Sequence, residues 1–246
     1  DPTPDESSAL SSAVMSKYSH KNLLTFTGRD PFDGTLYSAT LRYDPFGLAG
    51  PTKFEYLAFA PSRDYCFVNT CGKPLIIGQK TSVAAFSFRV HDGIGESCRG
   101  TVSSTDMTME DGAVATVFVG GGYARNTSWG VAGNCTLTVN GGYITNVRIG
   151  FDKYPTNPPF TDGNIGGNVT IAVNGNGTIG NISVQNIENN TIGGALTIIF
   201  NQNKTASFDS LPNAEKGVWR VFSAKHGKVE ATDTIGEFRV TPDKGY

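Results

Sequence analysis

The sequence predicts an all-β chain wound as a parallel β-helix, a β-solenoid. Three observations carry this reading. First, two stretches spell nearly the same letters 34 positions apart, GNCTLTVNGG at 133–142 and GNVTIAVNGNG at 167–177. Second, the match extends to MTMEDGAVATVFVG at 107–120 and GALTIIFNQN at 194–203, giving shifts of 30, 34 and 27; internal repeats of about 20–50 residues are the signature of a solenoid. Third, apolar residues alternate with Thr, Asn, Ser and Ala inside each copy, as strands with one buried face require. A Gly/Asn bend joins the two strands of each copy, because these residues accept the positive φ of a sharp turn. Hairpins would set like residues antiparallel, whereas stacked coils set them in register and bury each coil against its neighbours.

The elements follow in order. Residues 1–24 form an N-terminal arm or capping helix. Leu10, Ala13, Val14 and Tyr18 recur at helical spacing after Asp5, a candidate N-cap, and a helix there suits the open end of a solenoid. Residues 25–100 are β-rich without an obvious repeat. TLYSATLRY, KFEYLAFAP and SVAAFSFRV alternate, and PFDG and PFGLAGP separate them. They form either a small sandwich or irregular first coils of the same solenoid. Residues 101–205 carry the repeats. Their predicted inward columns are Met107/Leu137/Ile171/Ile198, Met109/Val139/Val173/Phe200, Val114/Ile144/Ile179, Val117/Val147/Ile182 and Val119/Ile149/Val184. Residues 206–246 read as three short strands forming a β cap.

Composition narrows the function. The chain has 246 residues, a net charge of −2 and 17% charged residues, so no basic field points to nucleic acid. No apolar run reaches the roughly 18–20 residues of a membrane-spanning helix. The chain opens DPTPDESSAL, without an initiator Met or a signal-like apolar run, which reads as a processed N-terminus or an artificial boundary. With three His and no CxxC pair, a zinc site is not expected, and no phosphate-loop or dinucleotide motif calls for a cofactor. Cys66 and Cys71 bracket CFVNTC and could close a small disulfide loop, leaving Cys98 and Cys135; buried thiols are the alternative. By register Cys135 joins Thr105, Val169 and Leu196 and should point inward. Seven N-x-S/T sequons begin at Asn126, Asn134, Asn168, Asn176, Asn181, Asn189 and Asn203. They are either glycosylation sites or a by-product of the coil repeat, which sets Asn before a strand and Thr on its outer face.

Chemistry must sit on outer faces or in loops, since the columns fill the core. The segments 121–133 and 151–167 leave equivalent strands after Gly120 and Gly150. They should bring Tyr123 and Trp129 beside Phe151, Asp152, Tyr154 and Phe160, a platform for sugar rings and hydroxyls; folding back onto the solenoid wall is the competing outcome. The repeat holds few carboxylates, and no outward strand position supplies the pair that a glycosidase needs. No catalytic residue is assigned and the reading leans away from an enzyme.

The pattern GNxTLTVNGGxIxxVxIG over about 105–205 resembles the right-handed parallel β-helices of secreted bacterial proteins, which include pectate-lyase-like enzymes and Gly-rich surface adhesins. GEFRVTPDKGY at 236–246 is similar to small β segments of bacterial cell-surface proteins. The resemblance implies a secreted or cell-surface module. The expected function is adhesion or a structural, filament-forming role, with an extracellular glycan or neighbouring subunits as partners. A carbohydrate-binding module or a β-helix lyase or glycosidase is the alternative.

Overall fold

The computed structural model describes residues 19–37, 39–43, 46–61, 68–89, 101–124, 130–153, 165–184, 192–201, 219–224, 227–231 and 237–242. Of the N-terminal arm or capping helix expected over 1–24, residues 1–18 lie outside them, and residues 19–24 are not helical, with Leu24 opening the first strand. The strands in chain order are β1 (Leu24–Thr27), β2 (Ala39–Tyr43), β3 (Phe46–Gly47), β4 (Thr52–Glu55), β5 (Leu57–Pro61), β6 (Val68–Asn69), β7 (Leu75–Ile77), β8 (Ser82–Arg89) and β9 (Thr105–Met109). They continue with β10 (Val114–Ala124), β11 (Cys135–Val139), β12 (Tyr143–Lys153), β13 (Val169–Asn174), β14 (Thr178–Val184), β15 (Leu196–Asn201), β16 (Trp219–Ala224), β17 (Gly227–Ala231) and β18 (Glu237–Pro242).

These strands alternate between two sheets, which makes the chain a parallel β-solenoid. One sheet runs β1-β4-β7-β9-β11-β13-β15-β18-β17, and the other β16-β14-β12-β10-β8-β5-β2, with β3 and β6 beside β8. All pairs from β1 to β15 in the first sheet are parallel. Both sheets therefore pass through residue 101 without a break, and the strands of 25–100 are earlier coils of the same solenoid.

Register explains the core. In the first sheet, Phe26, Phe54, Ile77, Met109, Val139, Val173 and Phe200 form one column. Leu75, Met107, Leu137, Ile171 and Ile198 form its neighbour, as the repeat predicts. Most of these side chains are completely buried. At the first coils the column turns aromatic: Phe26 stacks on Phe54 at 5.5 Å, and Phe54 meets Phe59 edge-on at 5.1 Å, in geometries that aromatic quadrupoles favour.

The second sheet needs one correction. Val114 pairs with Tyr143, and it is Ala115 that pairs with Ile144 and, through it, Ile179. Val114 is 36% exposed while Ala115 is buried. Ala113 supplies an extra corner residue in its coil. The ladder recovers one step later through a bulge that pairs Thr116 with Asn146. Beyond it the predicted columns Val117/Val147/Ile182 and Val119/Ile149/Val184 hold.

A third, narrow side closes the coil. Val102, Val131, Ile165 and Ile192 are joined by single parallel bridges. Val131 and Ile165 are buried, and Val102 and Ile192 pack on the same core. At the C-terminal end β18 pairs antiparallel with β15 and β17 with β18, while β16 continues the other sheet in parallel. Residues 206–246 thus hold three strands among the described residues, of which β17 and β18 turn antiparallel and β16 extends the solenoid sheet.

Candidate functional site

The repeated letters are corner chemistry. Asn134 Oδ1 accepts the backbone N–H of Asn168 at 2.9 Å, and Asn168 Oδ1 accepts that of Ala195 at 2.8 Å. Each amide lies over a glycine of the next coil: a Cβ on Gly167 would sit 2.5 Å from Asn134 Oδ1, and one on Gly194 would collide with Asn168 Oδ1. Gly-Asn recurs because each Asn needs the space above the next Gly. Asn134 and Asn168, two of the sequon positions, are exposed and tie coils together through these side chains. Asn176 is exposed in a corner and Asn181 lies on β14, while Asn126, Asn189 and Asn203 lie outside the described residues.

A second corner carries a longer polar ladder. Its positions are Glu55, Gly78, Glu110, Asn140, Asn174 and Asn201, in register through backbone bonds and strand pairing. Asn174 Nδ2 donates to Asn140 Oδ1 at 2.9 Å. Gly78 leaves a gap in this column that the Lys53 stem crosses, 2.7 Å from where a Cβ would stand. Lys53 Nζ then reaches Glu55 Oε2 and Glu110 Oε2, each at 3.0 Å. Burial pulls the Lys53 pKa down, but the hydrogen bonds to Glu110 and Glu55 outweigh it and raise it above 10.5. The two carboxylates share this one ammonium, so the triad acts as an ionic staple across three coils. Glu110 stands in the EDG bend of its repeat. Its partner Lys53 lies 57 residues earlier, and no local pattern connects them.

The predicted aromatic platform is described in part. Gly120 and Gly150, with φ of 64° and 89°, bend their strands at the same place. The strands do not end there: β10 and β12 continue, pairing Gly122 with Phe151, Tyr123 with Asp152 and Ala124 with Lys153. Tyr123, Phe151 and Asp152 are thus brought together on two adjacent strands, and the loops begin only after Ala124 and Lys153. Trp129, Tyr154 and Phe160 lie outside the described residues. A Cβ on Gly121 would collide with the Gly150 backbone, which explains the glycine at that position.

Cys135 is buried in the column with Thr105 and Val169, as its register requires. Its Sγ would lie 2.5 Å from a Cβ on Gly120, so the sulfur fills the space that glycine leaves. Burial pushes the thiol up to about 11, and the facing Thr105 hydroxyl only moderates the shift. Cys71 occupies a turn with φ of 51°. Both are thiols in this structure, while Cys66 and Cys98, their proposed disulfide partners, lie outside the described residues.

The cleft that the structure offers is elsewhere, at the first coil. The chain between β1 and β2 makes a tight hairpin in which Asp30 N–H donates to Thr35 O at 2.8 Å and Tyr37 N–H to Gly28 O at 2.8 Å. Thr27, Arg29, Asp30, Pro31, Phe32, Asp33, Gly34 and Glu55 line an open cleft of about 410 Å³ beside it. Asp30 Oδ1 accepts the Phe32 N–H at 2.7 Å and the Asp33 N–H at 3.3 Å, and Asp33 Oδ1 accepts the Thr35 N–H at 2.7 Å. The backbone N–H of Thr35, then its hydroxyl, hold the Asp33 carboxyl below its ordinary pKa of 3.8. Phe32 stands 97% exposed at the tip. Gly34, at φ 78°, lets the Arg29 guanidinium lie over the turn, with Nη2 3.0 Å from its missing Cβ. The sequence reading took PFDG only as a turn.

Among the described residues no helix is long and apolar enough to cross a membrane. Comparison with protein-family models, curated proteins and solved structures finds no match. The fold class, a parallel β-solenoid, therefore rests on the pairing and register above.

Proposed function

We propose that this chain is a non-enzymatic β-solenoid module of a cell-surface or extracellular assembly, acting in adhesion or as a structural subunit. The observation that carries the reading is the outer face of the first sheet. Outward rows align Asp106 with Thr136, Thr170 and Thr197, and Thr108 with Thr138, Ala172 and Ile199. The result is a nearly uncharged, hydroxyl-bearing strip that repeats at strand spacing, about 4.8 Å. Such a strip offers a regular contact surface along the solenoid. Secretion follows from the same reading, as does the resemblance to bacterial surface β-helices.

Sedimentation and negative-stain microscopy of the purified chain test the structural role. Concentration-dependent growth of elongated particles supports it, and strictly monomeric particles at high concentration argue against it. A glycan array tests adhesion, with Trp129→Ala and Tyr154→Ala as controls. The pairing of Tyr123 with Asp152 beside Phe151 favours sugar binding at that corner as a second reading. Binding unchanged by both substitutions removes the corner platform.

A further inference from the structure

We propose that the first-coil cleft binds a neutral hexopyranose unit of an extracellular glycan, with Phe32 as the stacking ring and Arg29, Asp30 and Asp33 as hydrogen-bonding groups. The proposal rests on the adhesive reading above and moves the ligand to a different place.

The volume, about 410 Å³, lies within the range of small-ligand sites, about 300–1,000 Å³. Full exposure of a Phe on a rigid turn is the unusual feature. Phe32 is 97% exposed, and the backbone N–H bonds of Phe32 and Asp33 to Asp30 fix the turn that carries it, so the backbone that presents the ring is set before a partner covers it. Rings of this kind match the apolar C–H face of a pyranose.

The polar lining selects the ligand. Asp30 and Asp33 each commit Oδ1 to the hairpin backbone and line the cleft, where the second carboxylate oxygen of each is an acceptor for sugar hydroxyls. Arg29 supplies donors for sugar oxygens, and among the described residues it makes no ion pair. Glu55 is already paired with Lys53, and the two remaining carboxylates, Asp30 and Asp33, against one guanidinium disfavour a sulfated or uronic glycan. Arg29 in turn disfavours a simple amine. A neutral polyhydroxyl ring satisfies both signs and uses the exposed face of Phe32.

The test is saturation-transfer NMR on the intact chain with lactose, maltose, cellobiose and chitobiose. At least one should bind. Phe32→Ala should weaken it about tenfold or more, Phe32→Trp should retain it, and Arg29→Gln should weaken it, all without a change in melting temperature because Phe32 and Arg29 are exposed. Absence of binding to all four sugars overturns the cleft and leaves the structural role to the sedimentation result. Binding that survives Phe32→Ala but is lost in Tyr154→Ala also overturns it, and places adhesion at the corner loops.

Discussion

At the scale of single residues, the corners set stability through glycines and amides. Gly167 makes room for Asn134, and its missing Cβ would also press the Gly133 carbonyl carbon at 2.6 Å. Gly167→Ala should therefore cost about 1–3 kcal/mol, measured by denaturant unfolding, while Asn134→Ala should rescue part of it in the double variant because the amide is then gone. Two buried or half-buried groups set the alkaline limit. Cys135 is raised from 9.0 to about 11 in the fold, so the native state prefers the protonated thiol. Its contribution is complete below pH 9 and is lost as pH rises toward 11. Lys53, raised above 10.5, has the same sign: the staple is complete below pH 10.5 and fails as pH passes the folded value. Unfolding free energy should fall across pH 9–11, more gently in Cys135→Ala, and fall further above that range in the parent but not in Lys53→Met. Equal slopes in parent and Cys135→Ala would contradict the burial of that thiol.

At the scale of elements, the register separates two neighbouring residues. Ala115 is buried and Val114 faces out, so Ala115→Asp and Ile144→Asp should each unfold the solenoid by burying an unpaired charge. Val114→Asp should leave the melting temperature nearly unchanged. Melting of all three by circular dichroism checks this, and a normal Ala115→Asp would return the column to the simple 30-residue shift. That column also shows where the sequence was legible. Strict alternation exposed every column in which the copies have equal length. It failed at Ala113, because the corner from Met109 to Val114 is one residue longer than the corner from Val139 to Tyr143, a difference that the bulge beyond Ala115 later removes. The ladder of Val102, Val131, Ile165 and Ile192 was missed because a single residue per coil has no alternation. Its one signal is a Val or Ile four residues ahead of Cys135, Val169 and Leu196. The early coils hid for another reason: Phe26, Phe54, Ile77 and Met109 share a column but stand 28, 23 and 32 residues apart, with a different side chain type at nearly every step. The equivalence of Gly120 and Gly150 was legible because both lie inside the repeat, but the strand pairing of Tyr123 with Asp152 beyond them was not, since both segments read as loops. The Phe32 cleft and the Lys53 staple were not, since both join segments that no period relates.

At the scale of the whole molecule, the two ends of the solenoid differ. At the C-terminal end the hairpin of β18 and β17 covers the edge of β15, the usual way a sheet edge is closed to other chains. At the other end β1 and β2 terminate their sheets in one coil, and Leu23, Leu24, Leu36 and Tyr37 are 42–57% exposed there. If the chain assembles, this end is the natural contact. The backbone supplies a clean probe. Leu24 and Gly28 donate their N–H groups to the next coil, at 3.0 and 3.1 Å, so by alternation the N–H of Thr25 points away from it. Thr25→Pro removes only that outward donor, and proline is tolerated on a strand edge in this position. The variant should therefore melt like the parent and yet lose any concentration-dependent association seen by sedimentation. Association that persists in Thr25→Pro would move the contact to the threonine face of the first sheet. There Thr136→Lys and Thr170→Lys, which place like charges on adjacent coils, should break it instead.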